Sequence, residues 1–270
     1  MNVEDSSYIN NEIDTSEICR LLGSFSNSYK IEYHKTIVST NTYAKELAQK
    51  GIQNGFVVLA GSQSGGRGRM GRSFYSPEDT GIYMSLVLRP EIKASDTVKI
   101  TTFAAVCISD AIDSLYGTHS QIKWVNDIMI GGKKVCGILT EAEFDSARSI
   151  FDHIVLGIGI NIKKVKFPSE IADIAGSIEE FSDKKCSKNE LVAKILKNLS
   201  SLLDGNIPKG SMDSYRARSL FLGKEVFTLS DPSVSGTATE IDDSGALIIR
   251  SSDGSLHKIA AGEVSVRRSD

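Results

Sequence analysis

No run of some 18 apolar residues occurs in this 270-residue chain, so no membrane-spanning helix is expected. The opening stretch, Met1 to Asn11, carries Glu4 and Asp5 and has no apolar core, so no secretory signal is expected either. The four cysteines, Cys19, Cys107, Cys136 and Cys186, form no CxxC pair, and the four histidines, His34, His119, His153 and His257, are equally scattered. That spacing offers no metal-ligand set and argues against a protein-bound zinc. Cys107 and Cys136 sit in apolar surroundings, which suits buried free thiols and a reducing, cytoplasmic compartment. A basic excess is missing too. Lys and Arg total 31 against 34 Asp and Glu, a net charge of −3, unlike a dedicated nucleic-acid binder. There is no internal repeat and no low-complexity tract.

What is present is an ordinary soluble composition, 40% hydrophobic and 24% charged, sufficient for one large domain or one large and one small. Against that background one segment stands out. Residues 61 to 72 hold five glycines and three arginines in twelve positions, with no acidic residue among them. Each glycine costs roughly 1 kcal/mol relative to alanine in a helix, and glycine gives a strand nothing to pack. Such a loop instead brings backbone N–H groups and guanidinium forks up to an anion. A local basic site on an acidic body suits a small anionic ligand.

The periodicities around this loop give an organisation. Residues 31 to 34 read as a short strand. Ser39-Thr40-Asn41 reads as an N-cap ahead of a helix, Thr42 to Lys50, that stops at Gly51. Gly55 to Ala60 is a buried strand feeding the Gly/Arg loop, and Ile82 to Leu88 is another. Ser95 to Tyr116 has Val98, Phe103, Val106, Ile112 and Leu115 at helical spacing. Ile122 to Ile130 and Lys133 to Glu143 form a strand–turn–strand unit around Gly131-Gly132. Phe151 to Ile162 is a strand, Lys188 to Leu203 an amphipathic helix, and Ser211 to Ser219 a short helical piece. Ser16 to Leu22 forms one or two helical turns. From Leu220 the pattern changes to short β segments, Glu225 to Leu229, Ser235 to Ile241, Ala246 to Arg250 and Leu256 to Ala260. Asp/Gly turns at roughly ten-residue spacing separate them, which indicates a small separate β-barrel or sandwich.

Four polar stations fall at strand ends or turns: Ser39-Thr40-Asn41, Gln63 to Arg72, Lys123-Trp124-Val125-Asn126-Asp127, and Gly132-Lys133-Lys134-Val135-Cys136-Gly137. A fifth is Gly157-Ile158-Gly159-Ile160-Asn161. In this order they resemble the catalytic domain of the biotin protein ligases: Gly-Arg-Gly-Arg-x-Gly-Arg, Lys-Trp-Pro-Asn-Asp, Gly-Lys-Lys-x-x-Gly-Ile-Leu-x-Glu, then Gly-x-Gly-x-Asn. The likeness runs from about residue 31 to the terminal β segment. Val125 stands where the family usually has proline, and Phe74 where many members carry tryptophan, which leaves a smaller aromatic face.

The resemblance implies an α+β fold, with a mixed or antiparallel sheet and packed helices of the class II synthetase-like kind, followed by a small SH3-like β-barrel. The implied division is a polar segment 1–30, a catalytic domain 31–219 and a β domain 220–270. The implied activity joins biotin and ATP, with Mg²⁺, into biotinyl-5′-adenylate, then passes biotin to a lysine of a biotin carboxyl carrier domain of acetyl-CoA carboxylase or a related carboxylase. A carboxylate approaching a triphosphate is anion meeting anion, so fixed positive charge is required. Arg67, Arg69, Arg72, Lys123 and Lys134 can supply it.

By the same resemblance Ser39, Thr40, Asn41 and Gln63 surround biotin, although the first three also read as a plain helix cap. Arg67, Gly68 and Arg69 close over the carboxylate and the adenylate phosphate. Lys134 bridges carboxylate and α-phosphate, catalytic together with Arg69, and Gly137 lets the backbone run beside biotin. The nucleotide falls to Arg69, Arg72, Phe74, Lys123, Asn126, Asn161 and Arg267. Asp127 is either a turn residue or a water-mediated magnesium contact, Trp124 core or pocket wall, and Lys133 a solvated turn lysine. A lipoate–protein ligase shares the plan, but the Gly/Arg loop and the terminal β segment favour biotin. Only about 30 residues precede the catalytic domain, too few for a winged helix-turn-helix, so a monofunctional enzyme without DNA binding is expected. A sheet edge leaves a homodimer open.

Overall fold

The computed structural model describes residues 12–89, 97–145, 150–229, 232–260, 262 and 264–266. Expectations at Arg267 and at the first two residues of the long helix, 95 and 96, lie outside this set.

Strands β1 (Lys30–Ile37), β2 (Phe56–Gln63), β3 (Gly81–Leu88), β4 (Gln121–Lys123), β5 (Asp127–Ile130), β6 (Lys133–Asp145) and β7 (Ile150–Asn161) make a seven-stranded sheet ordered β1-β2-β3-β7-β6-β5-β4. β1 and β2 run parallel and the other neighbours antiparallel, so the sheet is mixed. The β5–β6 hairpin turns at Gly131 and Gly132, both at positive φ (55° and 78°), as a two-residue turn requires.

Period-two alternation sends the strands' side chains to two different layers. Val57, Leu59, Met84, Leu86, Ile154, Leu156, Ile158, Ile160, Cys136 and Ile138 join the large core with helices α1 (Thr15–Leu22), α3 (Thr97–Tyr116) and α4 (Lys188–Leu199). Val58, Val87 and Val155 point the other way, against Ala44 and Ala48 of α2 (Thr40–Gln49). Ser39 caps α2, its Oγ accepting from the Thr42 amide, and the helix begins at Thr40, two residues before the position read from the sequence. The short α2 covers only part of this second face, and the part it leaves is the functional site. α1 buries Ile18 and Leu22 completely against α4, so the chain ahead of β1 contributes to the core.

The expected strand Ile122–Ile130 is two strands, broken at residues 124–126. Their polar groups bond elsewhere than the ladder: Trp124 Nε1 donates to the Gly245 carbonyl (2.9 Å), Tyr215 Oη to the Val125 carbonyl (3.0 Å), and Asn126 Nδ2 to the Ile138 carbonyl (2.7 Å). Trp124 is buried, as expected. The Trp124–Val125 peptide is cis.

The terminal segment forms β8 (Glu225–Thr228), β9 (Ser235–Ile241), β10 (Leu247–Arg250), β11 (Leu256–Ile259) and β12 (Val264–Val266), an antiparallel sheet ordered β11-β10-β9-β8-β12. β12 escaped the sequence reading because three residues show too little alternation. Between β9 and β10 the Asp242 carboxylate accepts from the amides of Ser244 (2.8 Å) and Ala246 (3.1 Å) and pairs with Lys258 (2.7 Å). The Trp124–Gly245 bond above and Arg216 of α5 (Ser211–Ala217), donating to the Ile241 carbonyl (2.6 Å), tie this sheet to the larger one.

Burial alone would push the Asp242 carboxyl up, but the lysine, the hydroxyl and the two amides outweigh it and bring it down to about 2. A carboxyl held below its unfolded value stabilises the fold above that value and loses the contribution as pH falls towards 2. Asp242→Asn should therefore lower the unfolding free energy by about 1–2 kcal/mol at pH 7 in urea titrations. The gap from wild type should close between pH 4 and pH 2. A gap that stays constant across that range would mean the charge contributes nothing.

Candidate active site

Beyond the N-terminus of α2, three glycines leave the sheet face bare. Gly137 of β6 and Gly159 of β7 are register partners, while Gly157 pairs with Ser85 of β3 on one side and Leu139 on the other. A β-carbon at Gly157 would lie 2.0 Å from Asn41 Oδ1, and one at Gly159 would lie 2.5 Å from the Phe74 ring. At Gly137 it would meet Lys134 Nζ at 3.1 Å and Phe74 at 3.3 Å. The missing side chains form a trough occupied from above by α2 and the Gly/Arg loop.

At the α2 end the trough is polar and uncharged. Ser39, Thr40, Asn41 and Ser85 are 2, 4, 4 and 0% exposed, a burial such groups tolerate only when bonded. Ser85 Oγ lies 2.9 Å from Thr40 Oγ1 and donates to Asn41 Oδ1 at 2.7 Å. Gln63 Oε1 accepts from both the amide and the hydroxyl of Thr40 (2.8 and 3.1 Å), and Gln63 Nε2 donates to Ser76 Oγ (2.9 Å). Asn41 Nδ2 donates to Glu141 Oε2 at 2.9 Å. The network thus spans α2, β2, β3 and β6.

The Gly/Arg loop is a small hairpin in this structure. Gly68 N donates to the Arg72 carbonyl (2.7 Å) and Phe74 N to the Gly66 carbonyl (2.9 Å), with Met70 and Gly71 at positive φ (53° and 75°). Its arginines point to different partners. Arg67 reaches Glu141 (3.4 Å), whereas Arg69 donates to Asn126 Oδ1 (2.9 Å) and to the Gly262 carbonyl (3.5 Å). The Phe74 ring lies on the glycine floor, 6.4 Å from the ring of Tyr83.

At the other end, Lys134 Nζ sits 2.7 Å from Asp127 Oδ1, both side chains half-buried. Lys123 lies at the end of β4, opposite Asp127 in register. Asn161 Nδ2 donates to the Gly176 carbonyl (3.1 Å) and so holds the loop that covers Lys134, whose amide donates to the Ile174 carbonyl (2.7 Å). Lys133 is not simply solvated: its Nζ caps the carbonyls of Ala172 and Asp173 (3.0 and 2.7 Å). Burial pushes the Cys136 thiol up, so it stays protonated and is no nucleophile.

The structure therefore brings Ser39, Thr40, Asn41, Gln63, Gly137, Phe74, Lys134, Asp127, Asn126, Arg69 and Arg67 to one trough. It also shows participants the sequence reading did not select: Ser76, Ser85 and Glu141. Ser85 had a signal, as the one polar residue inside Ile82 to Leu88, and Glu141 closes the Gly-Lys-Lys motif. Among the described residues no group of three His, Cys, Asp or Glu could hold a metal ion. Chemically, a neutral hydrogen-bonding head site is joined to a cationic end by a floor of bare backbone on which the Asn41 amide and the Phe74 ring rest. That matches a ligand with an uncharged polar ring, a thin chain and an anionic terminus.

Comparisons with known proteins agree with this geometry. Residues 33–161 match the model of the biotin/lipoate A/B protein ligase family, and residues 221–267 that of the biotin protein ligase C terminal domain. The chain is 36% identical over 244 residues to the bifunctional ligase/repressor BirA of Bacillus subtilis (strain 168), covering 87% of this chain and 73% of that protein. It is 31% identical over 242 residues to a biotin–[acetyl-CoA-carboxylase] ligase of Paracoccus denitrificans, covering 84% and 96%. Among solved structures, the ligase from Aquifex aeolicus in complex with biotin and ATP superposes with a TM-score of 0.72 at 28% identity, covering 89% of this chain and 99% of that one.

The trough makes a direct prediction. Gly157→Ala should expel the Asn41 amide and cost about 1–3 kcal/mol in chemical denaturation. Combining it with Asn41→Ala, which vacates the space, should return part of that loss relative to the sum of the single changes. Strict additivity would show that Asn41 does not fill the space above Gly157.

Proposed function

Since the chain belongs to the biotin protein ligase family, we propose how its residues divide the work of that activity. The enzyme joins biotin to ATP and transfers it to a lysine of a carrier domain. The neutral end, Ser39, Thr40, Asn41 and Gln63, takes the ureido ring, whose two N–H groups and one carbonyl need acceptors and donors of that kind. Thr40 and Gln63 bond each other, so the ring exchanges one set of hydrogen bonds for another. The valeryl chain lies over Gly159 and Gly137, in the space the Phe74 ring fills, so that ring lifts from the floor as biotin enters. Its carboxylate then reaches Lys134.

In the first step a biotin carboxylate oxygen attacks the α-phosphorus of ATP, and the bond to pyrophosphate breaks. Two anions converge, and Lys134 is placed to neutralise them as the bond forms, an interaction stronger in the transition state than before it. Asp127 holds the ammonium in place until the substrates replace it. Arg69, Arg72, Lys123, Asn126 and Asn161 line the nucleotide side, and Phe74 offers the adenine the ring face turned away from the floor. Mg²⁺, bound chiefly by phosphate oxygens and water, would lower the charge of the triphosphate, with Asp127 the carboxylate within reach. In the second step the carrier lysine nitrogen attacks the acyl carbon, AMP leaves, and the amine proton passes to solvent. The carrier is a biotin carboxyl carrier domain of acetyl-CoA carboxylase or a relative. A homodimer along β1, which has a sheet neighbour on one side only, and a cytoplasmic location suited to three buried free cysteines, belong to the same proposal.

The observation that carries this reading is the glycine floor, covered by Asn41 and Phe74, that joins an uncharged hydrogen-bonding end to the Lys134–Asp127 pair. ATP–pyrophosphate exchange with purified protein tests it: biotin should support exchange and lipoate, which has no ureido group, should support it at least about 100-fold less well. Equal exchange with both acids would reassign the substrate. Lys134→Ala should reduce biotin-dependent exchange by about 100-fold or more without changing the thermal midpoint by more than a degree or two. Near-normal exchange in that variant would remove Lys134 from its role.

A further inference from the structure

Glu141 lies on the same face of β6 as Gly137, and its half-buried carboxylate joins the arginine flap to the ring site. One oxygen accepts from Asn41 Nδ2 at 2.9 Å and the other lies 3.4 Å from Arg67 of the flap. Lys134 Nζ and Asp127 sit beside Gly137, and from Gly137 to Glu141 the strand advances about 13 Å at about 3.3 Å per residue, so the two ion pairs occupy opposite ends of the trough. Arg67 thus stands at the ring end with its charge already matched. The sequence motif had placed it over the substrate carboxylate.

Resting on the biotin ligase reading, we infer that Glu141 is a positioning residue with two effects: it latches the flap shut through Arg67, and it fixes the Asn41 amide that orders the ring site. An amide whose Nδ2 is held by a carboxylate must present Oδ1 to Ser85, and Ser85 Oγ in turn meets Thr40, which meets Gln63. Ser85 and Thr40 hold one hydroxyl proton each: Ser85 gives its own to Asn41 Oδ1 and Thr40 its own to Gln63 Oε1, so a turned Asn41 amide, offering Nδ2 instead, would redirect the Ser85 hydroxyl towards Thr40. Without the carboxylate the amide is free to turn, and the ring site loses its single arrangement. The flap loses its tie to β6 at the same time, while Arg69 still ties it to Asn126. Arg67 is therefore a latch and not an electrostatic clamp on the reacting groups.

The two effects separate in one set of variants, measured with the full chain, biotin, ATP and a carrier domain. Wild-type exchange comes first; if biotin does not support it, the ligase reading itself fails and the latch is moot. Given an active wild type, Glu141→Ala should raise the KM for biotin about tenfold while the KM for ATP moves less than twofold. It should also release adenylate, read as severalfold more biotin on bystander lysines relative to the carrier. Arg67→Ala should show the same leakage with a smaller change in biotin KM, and the double variant should leak no more than either single one. Glu141→Gln keeps an oxygen for Asn41 but loses the charge; its biotin KM should return to within about threefold of wild type while the leakage remains. Wild-type biotin KM and no leakage in Glu141→Ala overturn the proposal, as does leakage that multiplies in the double variant. Should Glu141→Ala not fold, Glu141→Gln decides alone: a carrier-to-bystander ratio equal to wild type overturns the latch.

Discussion

A β-carbon on Gly157 or Gly159 would occupy space that the Asn41 amide and the Phe74 ring already fill, and everything else about the pocket follows from that exclusion. A sheet face is ordinarily a wall of side chains. Here two adjacent strands present backbone, because Gly137 and Gly159 are register partners and Gly157 follows two residues away on the same face. Helix α2 begins over the edge of that bare patch, and the hairpin of residues 66–74 covers the rest. The site is thus a gap between layers, and its depth is set by what three residues lack. Any residue with a side chain there would fill it from below.

Within the gap, polarity and charge are separated along one strand. The uncharged end can be deeply buried because each hydroxyl and amide has a partner, whereas buried unpaired groups of that kind would cost roughly 1–3 kcal/mol each. The charged end stays half-exposed, where Lys134 and Asp127 hold each other at a distance a substrate anion can intrude upon. This arrangement explains how one pocket both recognises a neutral ring and brings two anions together. Recognition uses fixed hydrogen bonds. Reaction uses a cation whose present partner is replaceable.

Much of this was legible in the sequence, for identifiable reasons. Glycine and arginine from 64 to 72 break the strand as propensity predicts, but residues 61–63, read as loop, continue β2, because Ser62 and Gln63 pair with Thr36 and Ile37 of β1. Ser39 caps α2, Ser187 caps α4 with Glu190 completing the box, and both signals are local. What the residues did not disclose is long-range. Nothing in Val125 or Asn126 reveals that their carbonyl and amide would bond to Tyr215 and Ile138 and so split one expected strand into β4 and β5. Arg67 and Arg69 are neighbours in a motif, yet they face opposite ends of the trough, because Arg67 lies in the paired arm of the hairpin, bridged to Ser73, and Arg69 in its tight helical turn. Glu141, the last residue of the Gly-Lys-Lys motif, and Ser85, the polar residue within β3, disclose no role until the register sets them beside Asn41.

The split between the arginines bears on a demand of any two-step transfer through an activated acyl group. The intermediate must be held while one partner leaves and another arrives, so the cover has to be fastened without being permanent. Arg69 fastens it towards the β4–β5 turn and the terminal sheet, through Asn126 and the Gly262 carbonyl. Arg67 fastens it towards the ring end. Both bonds are of the partly exposed, individually weak kind, worth on the order of 1 kcal/mol apiece, and two such ties at opposite ends close a glycine-rich hairpin reversibly where a packed apolar interface would lock it. Glycine supplies the mobility and arginine the grip, and the sequence places them alternately because each fastening needs a flexible residue beside it.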